Sequence, residues 1–317
     1  VGIFGGSFAE GLWREGREAL IEELRRWKPW ADRGIVVEPV ALGGYKQPQQ
    51  LMSLAWFLSI GARFDAVVNL DGFNEVALAP AENAGEVYPF YPRGWPARVS
   101  NFIDPRRLSL VARMDALEKR QKSLARVFSR FPLSWSMTAN LVWRSLQVRV
   151  SAGRAALSQE LERYAASRKG KLGYLASGPP ARYPDDHAMY EALAATWARS
   201  SREMHDLAAA RGILYLHDLQ PNQYVEGSKP MSRREREAAW QEDHPYRKGV
   251  VEGYPLLAAN GEELRREGIE FHDLTGIFRD HPEPLYVDSC CHVSREGYEI
   301  VAREIGRELV ALAGSGR

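Results

Sequence analysis

The chain has 317 residues, of which 45% are hydrophobic and 26% charged, with 42 Lys and Arg against 41 Asp and Glu. That balance excludes a disordered or collagen-like chain and leaves enough apolar surface for one large domain or two modest ones. The only two cysteines, Cys290 and Cys291, are adjacent, so they neither staple distant segments nor offer the ligand spacing of a zinc site.

In chain order, residues 1–6 read as an apolar strand that breaks at Gly5 and Gly6 and runs through Ser7 into an amphipathic helix. The chain opens on Val1, already inside that strand, which leads us to expect a preceding segment such as a signal or anchor, with an extracytoplasmic or membrane-anchored location. A second strand over 35–42 ends in Gly43-Gly44-Tyr45. Residues 51–62 form the longest apolar run and fall short of the ~18–20 residues that a membrane span needs, so we expect a core helix there. A third strand over 64–70 leads into Asp71-Gly72-Phe73-Asn74-Glu75.

From about 83 to 211 lies a stretch too long for one crossover and helical in its middle, which reads as an insertion. Between 106 and 171 it carries fifteen Lys and Arg against four Asp and Glu, a net charge of +11 in a chain whose total is +1. Such a face either is simply solvated or attracts an anionic surface; nucleic acid is not expected, because no recognised binding motif accompanies the charge. Trp95, Trp135 and Trp143 in this region suit sugar stacking or an acyl groove as well as packing. Strands over 213–219 and 269–274 follow, and a last helix carries Val301, Ile305, Leu309 and Leu312 at helical spacing.

Near-continuous apolar strands alternating with helices argue for a single α/β domain, a three-layer α/β/α sandwich with a five-stranded parallel sheet plus the helical insertion. In such sheets sites form at the carboxyl ends of the strands, and the unusual residues gather there. Ser7 follows the first strand, Gly44 the second and Asn74 the third, while Tyr286-Val-Asp288-Ser-Cys-Cys-His292 precedes the last helix. A serine hydroxyl becomes a nucleophile when an imidazole takes its proton and a carboxylate fixes the imidazole. Ser7, His292 and Asp288 supply those parts. The amides of Ser7 and Gly44 and the side chain of Asn74 are candidate donors to an oxyanion.

Their order along the chain resembles one family. Gly5-Gly6-Ser7-Phe8-Ala9-Glu10-Gly11 is similar to the Gly-Asp-Ser-x-x-Glu-Gly block of the GDSL or SGNH hydrolases, with Gly6 in place of Asp. Ala41-Leu42-Gly43-Gly44-Tyr45 resembles the second block and Gly72-Phe73-Asn74-Glu75 the third, with Glu75 where Asp is usual. Asp288 to His292 resembles the final Asp-x-x-His with one extra residue. The resemblance covers the sheet and not the insertion. It implies a flavodoxin-like sandwich of SGNH type and an esterase or acyltransferase that needs no cofactor, with Ser7, His292 and Asp288 as triad and Ser7, Gly44 and Asn74 as oxyanion hole. Its substrate would be a small-molecule, lipid or carbohydrate ester.

Other readings are open. A non-catalytic protein on the same scaffold could hold an anionic glycan or a membrane surface. His217, Asp218 and Gln220 either face the site or cap the fourth strand, and Asp273 is a reserve partner for His292. No metal is expected, since no His-Glu-x-x-His spacing occurs. The segment around Ser7 lacks the lysine of a P-loop and the Gly-x-Gly-x-x-Gly of a dinucleotide site. It nearly matches the nucleophile elbow of α/β-hydrolases, but its place on the first strand and the closeness of Asp288 to His292 speak against that fold.

Overall fold

A computed structural model describes residues 1–79, 88–90, 105–167 and 180–315. The chain divides into two compact units, one built from Val1–Arg93 with Pro179–Arg317, the other from Gly94–Gly178. The first holds a five-stranded sheet, β1 (Gly2–Gly5), β2 (Glu38–Ala41), β3 (Ala66–Asp71), β4 (Leu214–Leu219) and β5 (Phe271–Asp273). All neighbours pair in parallel, in the order β2-β1-β3-β4-β5. After β2 the chain crosses to the far side of β1 to lay down β3. The reversal opens a crevice above the carboxyl ends of β1 and β3.

Helices cover both faces. Because side chains alternate along a strand, Ile3 and Val68 enter one core layer while Phe4 and Val67 enter the other. The Ile3 layer packs against α1 (Ser7–Gly11), which continues through a π turn (Leu12–Gly16) into α2 (Arg17–Leu24), and against the last helix, α11 (Arg295–Gly314). Val301, Ile305 and Leu309 are fully buried there, as their spacing predicts, and Leu312 at the helix end is half-buried. The Phe4 layer packs against α4 (Gln49–Ser59), α8 (Asp186–Ala209) and α10 (Arg247–Arg266). Between α2 and α4, α3 (Lys28–Ala31) is a single turn.

Two expectations change. The apolar run at 51–62 is not a core helix throughout, since α4 buries Leu54 completely while Met52, Trp56 and Ile60 are exposed; one stripe suffices to cover a sheet edge. The second unit is narrower than the insertion read over 83–211. Helix α8 belongs to the sheet-bearing unit, with Asp185 accepting from the Ala188 amide as its N-cap and Tyr190, Leu193 and Trp197 in the core. The described part of the second unit is a helical hairpin, α6 (Pro105–Phe128) and α7 (Met137–Ser167), closed on Leu110, Val150 and Leu157. Between Phe73–Ala77 (α5) and α6, Trp95 lies outside the described residues.

Candidate active site

Strand β1 ends in two glycines, so the backbone turns at once into α1 with Ser7 as its first residue. The hydroxyl of Ser7 donates to His292 Nε2 at 2.9 Å, and His292 Nδ1–H donates to Asp288 Oδ2 at 2.6 Å. The extra residue between Asp288 and His292 is accommodated because Asp288 Oδ1 collects three backbone amides, those of Cys290 (2.9 Å), Cys291 (3.1 Å) and His292 (3.2 Å). One carboxylate thus closes its own loop with one oxygen and aims the imidazole with the other.

The loop is pinned from both sides. Tyr286 and Val293 form an antiparallel bridge, and the Val287 amide donates to the His292 carbonyl at 3.0 Å. From the segment after β4, Asn222 Nδ2 donates to the Cys290 carbonyl (3.0 Å), Gln223 Nε2 to that of Asp288 (2.9 Å) and Tyr224 Oη to that of Ser289 (2.9 Å). Glu235, in α9 (Arg233–Ala239), takes the amides of Leu285 and Tyr286 on Oε1, and its other oxygen meets the buried Lys229 ammonium at 3.1 Å. None of these five residues stood out in the sequence. A polar cluster directly after a buried strand, Gln220 to Tyr224, is the signal that could have found three of them.

Charge follows the geometry. The Asp288 hydrogen bond, outweighing burial and joined by the Asp288 charge, holds the His292 imidazolium pKa above its ordinary value. Burial works to raise the Asp288 carboxyl, but the bonds from His292 and the loop amides prevail and lower it.

At the crevice, the Asn74 side-chain amide lies directly on the Gly6 backbone: a Cβ at Gly6 would come within 2.1 Å of Asn74 Nδ2. One Asn74 N–H goes to the Tyr45 carbonyl at 2.6 Å, and an amide carries a second. Ser7, at the first position of its helix, has a backbone N–H with no partner in the helical ladder. Leu42 to Tyr45 form a tight turn, with the Tyr45 amide bonded to the Leu42 carbonyl at 2.9 Å and Gly44 at φ 82°, where glycine is the residue that fits. Glu75 bonds the amides of Gln47 (2.8 Å) and Gly72 (2.9 Å), tying the segments after β2 and β3 together; burial, then Asp71, pushes its pKa up to about 8. Ser7 and His292 open onto a hollow of about 470 Å³ lined also by Glu10, Arg14, Arg295 and Tyr298.

The remaining candidates lie elsewhere. His217 is fully buried, with Nε2–H to Asp71 Oδ1 (2.9 Å) and Nδ1 accepting from Ser201 Oγ (2.7 Å). Asp71 also accepts from Trp197 (2.6 Å), Asn69 (2.9 Å), Gln47 (3.2 Å) and Gln50 (3.3 Å). Asp218 is buried beside Glu308, and burial followed by that neighbour raises its pKa well above the carboxylate range. The buried Gln220 donates its amide to the Asp71 carbonyl at 2.9 Å. Asp273 caps the turn Leu274–Gly276 through the Thr275 amide at 2.8 Å.

Among the described residues, Cys290, Cys291 and His292 are the group whose ligating atoms lie close enough, within 4.8 Å of one another, to hold a metal. The Cys291 thiol is buried and its pKa raised by burial and by Cys290, and both imidazole nitrogens already face Asp288 and Ser7. A metal there would compete with the hydrogen bonds of His292 to Asp288 and Ser7. Compared with protein-family models and with curated proteins, the chain matches none.

Proposed function

We propose that this protein is a serine hydrolase of SGNH type that cleaves, or transfers, acyl groups from esters. The observation that carries the reading is the continuous hydrogen-bond chain Ser7 Oγ, His292, Asp288 opening onto an accessible hollow. The 2-1-3-4-5 strand order, which is that of flavodoxin-like sheets, supports it, as does the placing of Ser7, Gly44 and Asn74 after β1, β2 and β3.

In this reading Ser7 Oγ attacks the ester carbonyl carbon while its proton passes to His292 Nε2. Asp288 holds the imidazolium that results. The oxyanion is met by the amides of Ser7 and Gly44 and by the free N–H of Asn74. Collapse expels the alkoxide, which leaves as the alcohol with the His292 proton. Water then attacks the acyl-enzyme, again losing its proton to His292, and the acid departs; an acceptor alcohol in place of water gives transfer. The substrate is a small-molecule, lipid or carbohydrate ester, and the chemistry uses no cofactor.

The departures from the family blocks have local accounts. An Asp at position 6 would collide with Asn74, and Glu75, longer than Asp, spans to the Gln47 amide. Labelling the purified protein with a fluorophosphonate tests the reading. An activated serine labels and Ser7→Ala does not. Absence of labelling in the wild type would favour a binding protein on the same scaffold.

A further inference from the structure

The helical hairpin of the second unit ends in apolar side chains held outward. Phe131, Trp135 and Met137 are 80%, 86% and 81% exposed, and Val127, Leu141 and Val142 beside them are about half exposed or more. An ordered turn keeps them there. Ser134 and Trp135 donate to the carbonyls of Arg130 and Pro132 (both 3.1 Å), Ser136 Oγ caps α7 through the Ala139 amide (3.2 Å), and Asn140 Nδ2 bonds the Ser134 and Ser136 carbonyls. Phe131 and Trp135 pack edge to face with centroids 6.4 Å apart. Water would drive so apolar a group to collapse inward, and this tip is built to prevent that.

Charge indicates what covers it. From 119 to 159 the sequence has eight Lys and Arg and no Asp or Glu, and Arg126, Arg130 and Arg144 flank the tip and are exposed. Two such tips would repel each other, which disfavours a second copy. Aliphatic groups outnumber rings at the tip, which suits acyl chains better than stacked bases. No described helix is long and apolar enough to cross a membrane.

We propose that the tip of the α6–α7 hairpin docks on an anionic lipid surface, with Phe131, Trp135 and Met137 entering the acyl boundary and the flanking arginines meeting the headgroups. Flotation of the full chain with phosphatidylcholine vesicles, pure or mixed with phosphatidylglycerol, tests this. The chain should float with the mixed vesicles and not with the pure ones, and added salt should release it. Phe131→Ser combined with Trp135→Ser should weaken binding by about tenfold or more, and Arg126→Glu with Arg130→Glu by a similar factor. All four side chains are exposed, and an unchanged circular dichroism spectrum verifies that the variants fold. Undiminished binding by either double variant, or equal binding to pure phosphatidylcholine, overturns the proposal. So does a tip-dependent dimer in sedimentation velocity, or a single-stranded oligonucleotide bound through the same residues when vesicles are not.

Discussion

Among the described residues two Ser-His-Asp arrays occur, and they differ in almost everything except the residues. At the sheet rim, His292 joins Ser7 and Asp288 at 2.9 and 2.6 Å; inside the core, His217 joins Ser201 and Asp71 at 2.7 and 2.9 Å. The rim serine faces a hollow, whereas Ser201 is fully buried with Tyr215 Oη 3.1 Å from its oxygen. The rim imidazole turns Nδ1 to its carboxylate and the core imidazole turns Nε2. Asp288 spends its second oxygen on the amides of its own loop, while Asp71 satisfies four side chains besides His217. Distances alone therefore do not make a nucleophile. The proposed chemistry also needs room for a carbonyl carbon, and of these two serines it is Ser7 that opens onto a hollow.

The sharpest way to break this comparison is to remove each serine. Ser7→Ala should abolish turnover of short p-nitrophenyl esters with the fold intact, and Ser201→Ala should leave kcat near wild type; the reverse pattern would exchange the two arrays. Next in size, Asp288→Asn should lower kcat by several orders of magnitude, because an amide invites the wrong imidazole tautomer, whereas Asp273→Asn should change little. Steady-state kinetics of both variants decide between them. Asp71→Ala acts on stability instead: with donors left unpaired in the core, urea unfolding should show a loss of roughly 3–5 kcal/mol. A loss near zero would mean that the core array is not held by its carboxylate. Asn74→Ala should cost kcat about a hundredfold with KM little changed, and an unchanged kcat would reassign Asn74 to its bond with Tyr45.

The smallest effect is on pH. His292 acts as a base only when neutral, and its pKa is raised, so kcat/KM should climb with pH through a limb centred above the ordinary 6.5 of histidine. Asp288→Asn should move the residual limb to lower pH. By the same sign, the stability that the raised His292 pKa contributes is present below the imidazole's unfolded value and lost as pH rises through the folded one, while that from the lowered Asp288 pKa is lost as pH falls through its folded value. A limb centred below 6.5 in the wild type would contradict the hydrogen bond to Asp288.

The residues that meet at the rim were legible because the patterns that mark them are rare: glycines at a strand end, an Asn after another strand, a His with a nearby Asp. All five strands could be read from runs such as Val67 and Val68, apolar at successive positions because both faces are covered. That same double burial hid the role of His217, since alternation cannot say which layer a residue enters when neither is solvent. Strand ends were blurred where apolar residues lie outside the ladder, as at Val36, which is 62% exposed. Helix α8 was assigned to the insertion because everything between the third and fourth strands was read as one stretch too long for a crossover, and length does not say which of its helices packs on the sheet. Asn222, Gln223 and Tyr224 act through backbone carbonyls of a loop 68, 65 and 65 residues away, and no local spacing encodes such a contact.

Ser7 and His292 are separated by 285 positions in the chain, and the helix that Ser7 opens and the helix that follows His292 pack in the same core layer. A contact of that range closes late, since the chain must first settle the intervening strands before the loop-closure entropy is repaid. If the proposed function holds, ester turnover reports the closing of this contact: in refolding experiments it should reappear only once α11 has docked beside α1 and α2, however early the sheet acquires its secondary structure.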